Sequence, residues 1–366
     1  NDLLEYWEDD PATEVILLYL ESFGNPRNFT KLARQIVRKK PIIAVKSGRT
    51  ALGAKAASSH TGALAGMDVA IDALFNQCGV LRVNTVEEMF DLTQGFANQP
   101  LPKGNRVAVM TNAGGPGILM TDAIVSNNLE MADFSEDTIK ALQEYLPSEA
   151  SFSNPLDMIA SADPPGYKRT LEILLKDPLN DAVVVIFVQP VTADAEGIAQ
   201  SIAEVVGSQD WQKPVFCCFM GKGDEASGVP TLRKAKLPVY RYPESVALTI
   251  ARMVKYRGFK ERPEGKIVEF DDVNKKEVEE VINTAQAEGR TTLNAVEIGR
   301  ILKAYRFPLP DSVVSGNLDE ILKFAEKRYP VVLKMLSEQV SHKTDVGGVM
   351  VDIRNEKELT SAFNSM

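Results

Sequence analysis

Residues 183–189 read VVVIFVQ, and residues 15–21 read VILLYLE. Neither run lets a polar residue alternate with the apolar ones, the pattern of a strand buried on both faces of a parallel sheet. Each is followed by an amphipathic stretch that reads as a helix, then by Lys-Pro and a second apolar run. Lys40-Pro41 opens PIIAV (41–45), and Lys213-Pro214 opens PVFCCF (214–219). A glycine and a basic residue follow at the same offset, as Gly48-Arg49 and Gly221-Lys222. Both copies close on Val-x-Arg, at Val80 and Arg82 and again at Val239 and Arg241. Two copies of one unit are the simplest explanation. The alternation of strand and helix predicts a doubly wound α/β architecture.

The copies differ in two respects. The stretch from Arg49 to Val80 is longer than that from Lys222 to Val239, and the excess holds SSHTGALAG (58–66). The first opening run ends in Glu21, the second in Gln189. One copy therefore carries a histidine loop with a carboxylate near it in the fold, and the other carries neither. RVAVM (106–110), a Gly-rich turn and a helix precede the second copy, whereas almost nothing precedes the first. The first unit is expected to be incomplete at its N-terminal side.

At 366 residues the chain exceeds one ordinary core, so two or three domains are expected. Its 44% apolar and 25% charged residues are average for globular protein and argue against disorder, collagen and coiled coil. No apolar run approaches the ~18 residues of a membrane span. A net charge of -9 argues against a general nucleic-acid binder. Cys78, Cys217 and Cys218 have no metal-ligand spacing and read as reduced thiols, which predicts a cytoplasmic setting and no metal site. The histidines are two, His60 and His342, so any histidine chemistry uses one of them.

Residues 255–290 are unusually rich in charge and read as a solvated linker with a polar helix. Asn294 and Glu297 have capping-box spacing ahead of an amphipathic helix that ends near Tyr305, with Pro308 and Pro310 at its exit. YPVVLK (329–334) reads as a buried strand ending in Lys334, followed by SEQVSHKTDVGGV (337–349) and a further strand.

Several segments could carry chemistry. His60 lies among small residues, including Ser59, Thr61 and Gly62, which leave an imidazole open and let backbone N–H groups approach an anion. A carboxylate on its second ring nitrogen would set the tautomer and raise nucleophilicity, and Glu21 is the candidate. A loop histidine without a role is the plainer alternative. TNAGGPGILMTDA (111–123) follows a strand and opens a helix. Asn112, Gly114, Gly115 and Gly117 would sit at the positive end of that helix, an anion site or else a tight turn with no ligand. NPLD (154–157) is a turn whose polar residues, Asn154 first, could steady the Gly-rich segment. Lys334 could neutralise a nucleotide phosphate or simply be exposed. His342, Lys343, Asp345, Gly347 and Gly348 form a compact loop, in which His342 could equally be a histidine without function.

Together these segments resemble the ADP-forming (NDP-forming) acyl-CoA synthetases, of which acetate–CoA ligase is one, in the succinyl-CoA synthetase superfamily. The resemblance implies two flavodoxin-like, doubly wound CoA-ligase domains followed by a partial ATP-grasp domain of α+β type. The boundaries expected are 1–98, 99–260, a charged linker over 261–290, and 291–366. SSHTGALAG looks like the phosphohistidine loop, with His60 phosphorylated and Ser59, Thr61 and Gly62 around the phosphate. Glu21 looks like the glutamate that holds it. TNAGGPG resembles the loop opening a helix whose N-terminus steadies the phosphohistidine, which implies phosphate contacts from Asn112, Gly114, Gly115, Gly117 and, from the next loop, Asn154. YPVVLK with SHKTDVGGV is similar to the entry half of an ATP-grasp unit, where Lys334 would contact nucleotide and His342 would shuttle phosphate.

The resemblance implies interconversion of acyl-CoA, ADP and phosphate with carboxylic acid, ATP and CoA, assisted by Mg2+. It implies a CoA thioester, a carboxylic acid, phosphate and adenine nucleotide as partners, in a homo- or hetero-oligomer without nucleic acid or membrane. The family's CoA-binding domain and the later ATP-grasp strands have no counterpart in these residues, so this span is not expected to complete the reaction. The alternative, from another class, is a non-catalytic synthetase-like module sensing CoA or acyl-CoA, for example fused to an acetyltransferase. Both histidines stand in their motifs, which favours the ligase.

Overall fold

A computed structural model describes residues 1–49, 68–190, 193–209, 211, 212–221, 227–263, 265–266, 268–337, 344 and 346–366. The chain forms two compact units, Asn1–Pro263 and Glu264–Met366.

The first unit holds two sheets. Strands β1 (Ile16–Leu20), β2 (Ile42–Lys46) and β3 (Leu81–Val83) make a parallel sheet in the order β1-β2-β3. Helices α1 (Asp2–Asp9), α2 (Pro26–Ile36), α3 (Asp68–Cys78) and α4 (Val86–Asn98) accompany it. The central strand β2 is buried along its length, because α2 covers it with Phe29, Leu32 and Ile36, and α3 and α4 add Phe75 and Leu92 to the same core. The strand runs one residue further than the apolar run predicts, and that residue is Lys46.

The second sheet has strands β4 (Arg106–Thr111), β5 (Glu130–Met131), β6 (Leu156–Asp157), β7 (Ala182–Val188), β8 (Val215–Met220) and β9 (Val239–Tyr240). Their order is β5-β4-β7-β8-β9, with β6 pairing the end of β4, and all pairs are parallel. This is the flavodoxin-like 2-1-3-4-5 order, whose ligand crevice lies between the first and third strands, here β4 and β7. Successive residues of β7 feed opposite cores. Val183, Val185 and Phe187 meet α7 (Pro164–Lys176) and α8 (Ala195–Gly207), while Val184 and Ile186 meet α5 (Gly114–Ser126) and α10 (Pro243–Glu261). A strand with two apolar faces needs helices on both, as the unalternating sequence predicts for β7; the same expectation fails for β1, an edge strand in which Ile16 alone is buried and Tyr19 is exposed. Helices α6 (Glu136–Gln143) and α9 (Val229–Lys234) complete the layers.

Helix α10 joins the core of the first sheet to one of the two cores of the second. Ile250 and Met253 pack on the second sheet, whereas Tyr256 enters the core of the first, edge-on to Phe96 at 5.5 Å. The Tyr256 hydroxyl donates to the carbonyl of Val37 at 2.8 Å.

The sequence repeat is visible in the strand pairing. The N–H groups of Ile16 and Val183 donate to the carbonyls of Pro41 and Pro214, and the pairs Ile16–Ile42 and Val183–Val215 follow. Anchored on these bonds, Leu20 corresponds to Phe187, Lys46 to Phe219, and Glu21 to Val188. The pairing of Glu21 with Gln189 read from the run ends is thus displaced by one residue. The cause is length: β7 and β8 have 7 and 6 residues, whereas β1 and β2 have 5 each.

The second unit contains helices α11 (Lys275–Ala287), α12 (Ala295–Ala304), α13 (Leu318–Ala325) and α14 (Glu356–Ser365), with the antiparallel strands β10 (Val331–Lys334) and β11 (Val349–Ile353). The Asn294–Glu297 capping box forms as its spacing predicts. The expected burial of YPVVLK does not. In β10 exposure alternates, and Val332 and Lys334 lie on the open side. The described part of the sheet has two strands, and one face packs on Ile321, Ala325 and Leu359.

Tyr256→Phe is expected to lower the unfolding free energy by about 1.5 kcal/mol, because it leaves a buried carbonyl unpaired. Urea denaturation monitored by circular dichroism measures the loss.

Candidate active site

Parallel strands place every following loop at one edge, and ligands of such sheets bind outside the carboxyl ends. In the first sheet this edge carries Glu21 after β1, Lys46 and Ser47 at the end of β2, and Arg82 and Asn84 at β3. The Ser47 N–H donates to the Leu20 carbonyl at 3.0 Å, which ties the ends of β1 and β2 together. Glu21 is exposed beside them. Ser59, His60, Thr61 and Gly62 lie outside the described residues, but the chain on either side of 50–67 is at this edge. Arg49 follows β2, and Asp68 opens α3.

The charges here are unevenly paired. Arg82 bonds Asp68 and Asp72 at 2.5 Å each, and the Arg82 contact holds the Asp68 carboxyl below the usual carboxylate range. Arg49 lies 3.7 Å from Asp68 and donates to Asn84 at 2.7 Å. Lys46, only 5% exposed, donates to the carbonyl of Ser47. Burial lowers its pKa and the Arg82 charge lowers it further, against smaller opposing effects from Asp68 and Glu21. The sequence reading passed over Lys46. The signal available was a lysine directly after an apolar run whose repeat partner continues with Phe219.

The crevice of the second sheet lies where TNAGGPG leaves β4. Helix α5 begins at Gly114 without a side-chain cap, and Gly114 and Gly115 are exposed there. A Cβ on Gly117 would meet Pro155 and Thr111 at 3.4 Å, so the NPLD turn packs directly beneath the Gly-rich one. A Cβ on Gly114 would lie 3.2 Å from Asp157 Oδ2. The helix N-terminus therefore already has one carboxylate nearby.

Two expected phosphate ligands have other roles. Asn154 Oδ1 accepts from the Val109 N–H at 2.9 Å, and its Nδ2 donates to the carbonyls of Val107 and Ala132 at 2.7 and 2.9 Å. Both amide hydrogens are committed, so the side chain has none for an anion and acts as a strut between β4 and the turn. Asn112 is 3% exposed, and its amide exchanges two bonds of 2.9 Å with the backbone of Val188. It continues the β4–β7 ladder across the crevice. The carboxamide imitates a peptide group, which is why asparagine reads equally well as ligand or as scaffold in sequence.

In the second unit Lys334 is exposed and pairs with Val349 in β11. His342, Lys343 and Asp345 lie outside the described residues. Cys78, Cys217 and Cys218 are free and buried, and among the described residues no helix is long and apolar enough to cross a membrane.

Asn154→Ala removes three bonds to partly buried backbone groups and is expected to cost about 3 kcal/mol of stability, checked by chemical denaturation. Faster amide exchange in residues 107–117 should accompany it.

Comparison with known proteins agrees with this architecture. A succinyl-CoA ligase-like flavodoxin domain matches residues 1–96, a ligase-CoA domain residues 107–261, and an ATP-grasp domain residues 284–366. The 4-hydroxybutyrate–CoA ligase [ADP-forming] of Nitrosopumilus maritimus is 36% identical over 368 residues, covering 100% of this chain and 52% of the relative. The alpha subunit of acetate–CoA ligase [ADP-forming] II of Pyrococcus furiosus is 42% identical over 260 residues, 69% of this chain and 56% of its own length. Among solved structures, acetyl-coenzyme A synthetase 1 of Candidatus Korarchaeum cryptofilum, in complex with phosphate and ADP, superposes with a TM-score of 0.67 at 34% identity. That superposition covers 71% of this chain and 56% of the other. The chain spans about half the length of the curated relatives it matches. With both flavodoxin-like units, the parallel strand order and an ATP-grasp segment in one chain, the protein belongs to the ADP-forming acyl-CoA synthetases of the succinyl-CoA synthetase superfamily.

Proposed function

We propose that the protein carrying this chain interconverts acyl-CoA, ADP and phosphate with carboxylic acid, ATP and CoA through a phosphohistidine on His60. The observation that carries this reading is the match along 100% of the chain to an ADP-forming ligase, joined to a carboxyl-end edge that offers both a carboxylate, Glu21, and a buried ammonium, Lys46.

Phosphate attacks the thioester carbonyl, giving acyl phosphate and CoA thiol. A neutral imidazole nitrogen of His60 attacks phosphorus, and the acid leaves as carboxylate. ADP then takes the phosphoryl group, giving ATP and free imidazole. Glu21 accepts a hydrogen bond from the other ring N–H of His60, which keeps the attacking nitrogen unprotonated and offsets the cationic ring of the phosphorylated state. The uncapped N-terminus of α5, through the exposed Gly114 and Gly115, offers backbone N–H groups and helix-dipole charge to a phosphoryl group, whereas Gly117 is buried against Pro155 and lets the two turns pack. Lys334, exposed at the end of β10, is open to nucleotide, and His342 is the second phosphoryl carrier. Among the described residues no group of three or more His, Cys, Asp or Glu could hold a metal ion. The relatives named as alpha and beta subunits support an active site shared between chains or linked domains.

Labelled phosphate with acyl-CoA, or γ-labelled ATP, is expected to give an acid-labile, base-stable label that His60→Ala abolishes. Glu21→Gln should slow labelling by roughly 10²-fold. A protein that takes no label under either condition would sink the proposal.

A further inference from the structure

The carboxyl-end edge of the first sheet has a buried cation that its carboxylates do not neutralise. Arg82 engages Asp68 and Asp72, and Arg49 engages Asp68 and Asn84. Lys46 is 5% exposed, yet among the described residues its ammonium has the backbone carbonyl of Ser47 as its hydrogen-bond partner and no carboxylate within ion-pair distance. Removing an ammonium from water costs several kcal/mol unless a counter-charge returns it.

The fold itself does not require this lysine. The corresponding residue of the second copy is Phe219, 4% exposed and packed against Phe187 with ring centroids 5.1 Å apart. Lys46 pairs with Leu20 as the last residue of β2, and Phe219 pairs with Phe187 at the matching register position, one residue before β8 ends. An apolar side chain fills that position in one copy, so the charge in the other is placed for something else. An ammonium with N–H groups to spare, at the carboxyl end of a parallel sheet, is a point-charge receptor for a compact multiply charged anion.

We infer that Lys46 is a phosphate-binding residue, whose ammonium neutralises inorganic phosphate at the carboxyl-end edge of the first sheet. The inference rests on the ligase reading only for the use made of that phosphate, as attacking group on the thioester and then as the group carried by histidine. The lowered pKa of Lys46 accords with a cation held short of negative charge until an anion arrives. Glu21, exposed beside it, is left free of an ion pair with Lys46.

The test is equilibrium dialysis of radiolabelled inorganic phosphate against the protein carrying this chain, with CoA as a parallel ligand. Lys46→Met is expected to weaken phosphate binding at least tenfold and leave CoA binding within twofold, with a melting temperature unchanged or raised. Lys46→Arg should restore part of the affinity, and Lys46→Phe should fold, since the second copy carries phenylalanine there. Unchanged phosphate affinity in Lys46→Met, a loss confined to CoA, or no phosphate binding by the parent protein overturns the inference. So does loss of the fold in both Lys46→Met and Lys46→Phe, which would make the ammonium a structural requirement. Phosphate binding that depends on Lys46 in a protein that forms no labelled phosphoenzyme would retain this inference and reject the ligase reading.

Discussion

Because every strand pair described in the first unit is parallel, each strand ends at the same edge of its sheet as its neighbours. The return of the chain through a helix each time follows from that constraint, since a tight hairpin cannot connect parallel strands. Both faces of the second sheet are then covered, and its central strand β7 is apolar throughout. Polar groups are driven to the ends. Glu21, Lys46, Asn112 and the Gly-rich turn all occupy the ends of strands for this reason, whatever each of them does there.

At the ends, backbone groups without a ladder partner compete with ligands for the same side chains. Asn112 and Asn154 resolve that competition in favour of the scaffold by imitating peptide groups where β4 meets β7 and the NPLD turn. The start of α5 resolves it the other way, as a helix N-terminus without a side-chain cap. At the first sheet Arg82 draws together Asp68 and Asp72 from α3. That network leaves Lys46 as the charge without a carboxylate.

The two copies of the strand–helix unit act as a built-in control. They share strand order and the Lys-Pro entry, so what differs between them is not demanded by packing; the Val-x-Arg close is not shared in the structure, where Arg82 stands at the register position of Val239. The carboxylate after β1 and the lysine at the end of β2 belong to one copy, where the other has Val188 and Phe219. The second unit has no such sibling. Its short antiparallel sheet is open on one face, which is why the apolar pattern over 329–334 overstates the burial of that strand.

The amino-acid sequence by itself determined the main alternation of strands and helices in the first unit, the parallel pairing of its sheets, the recurrence of a unit, and the capping of a helix by Asn294. Each is encoded within a few neighbouring residues, through apolar periodicity or through the reach of a side chain to the next turn. The tertiary structure alone decided the roles that depend on residues far apart in the chain. Asn154 meets Val107, Asn112 meets Val188, and Arg82 takes Asp68 and Asp72. The one-residue displacement between the copies belongs here too, since hydrogen bonds to Pro41 and Pro214 set the register. A polar residue at a strand end reads the same in sequence whether it holds the fold or waits for a ligand, and only the partners that reach it distinguish the two.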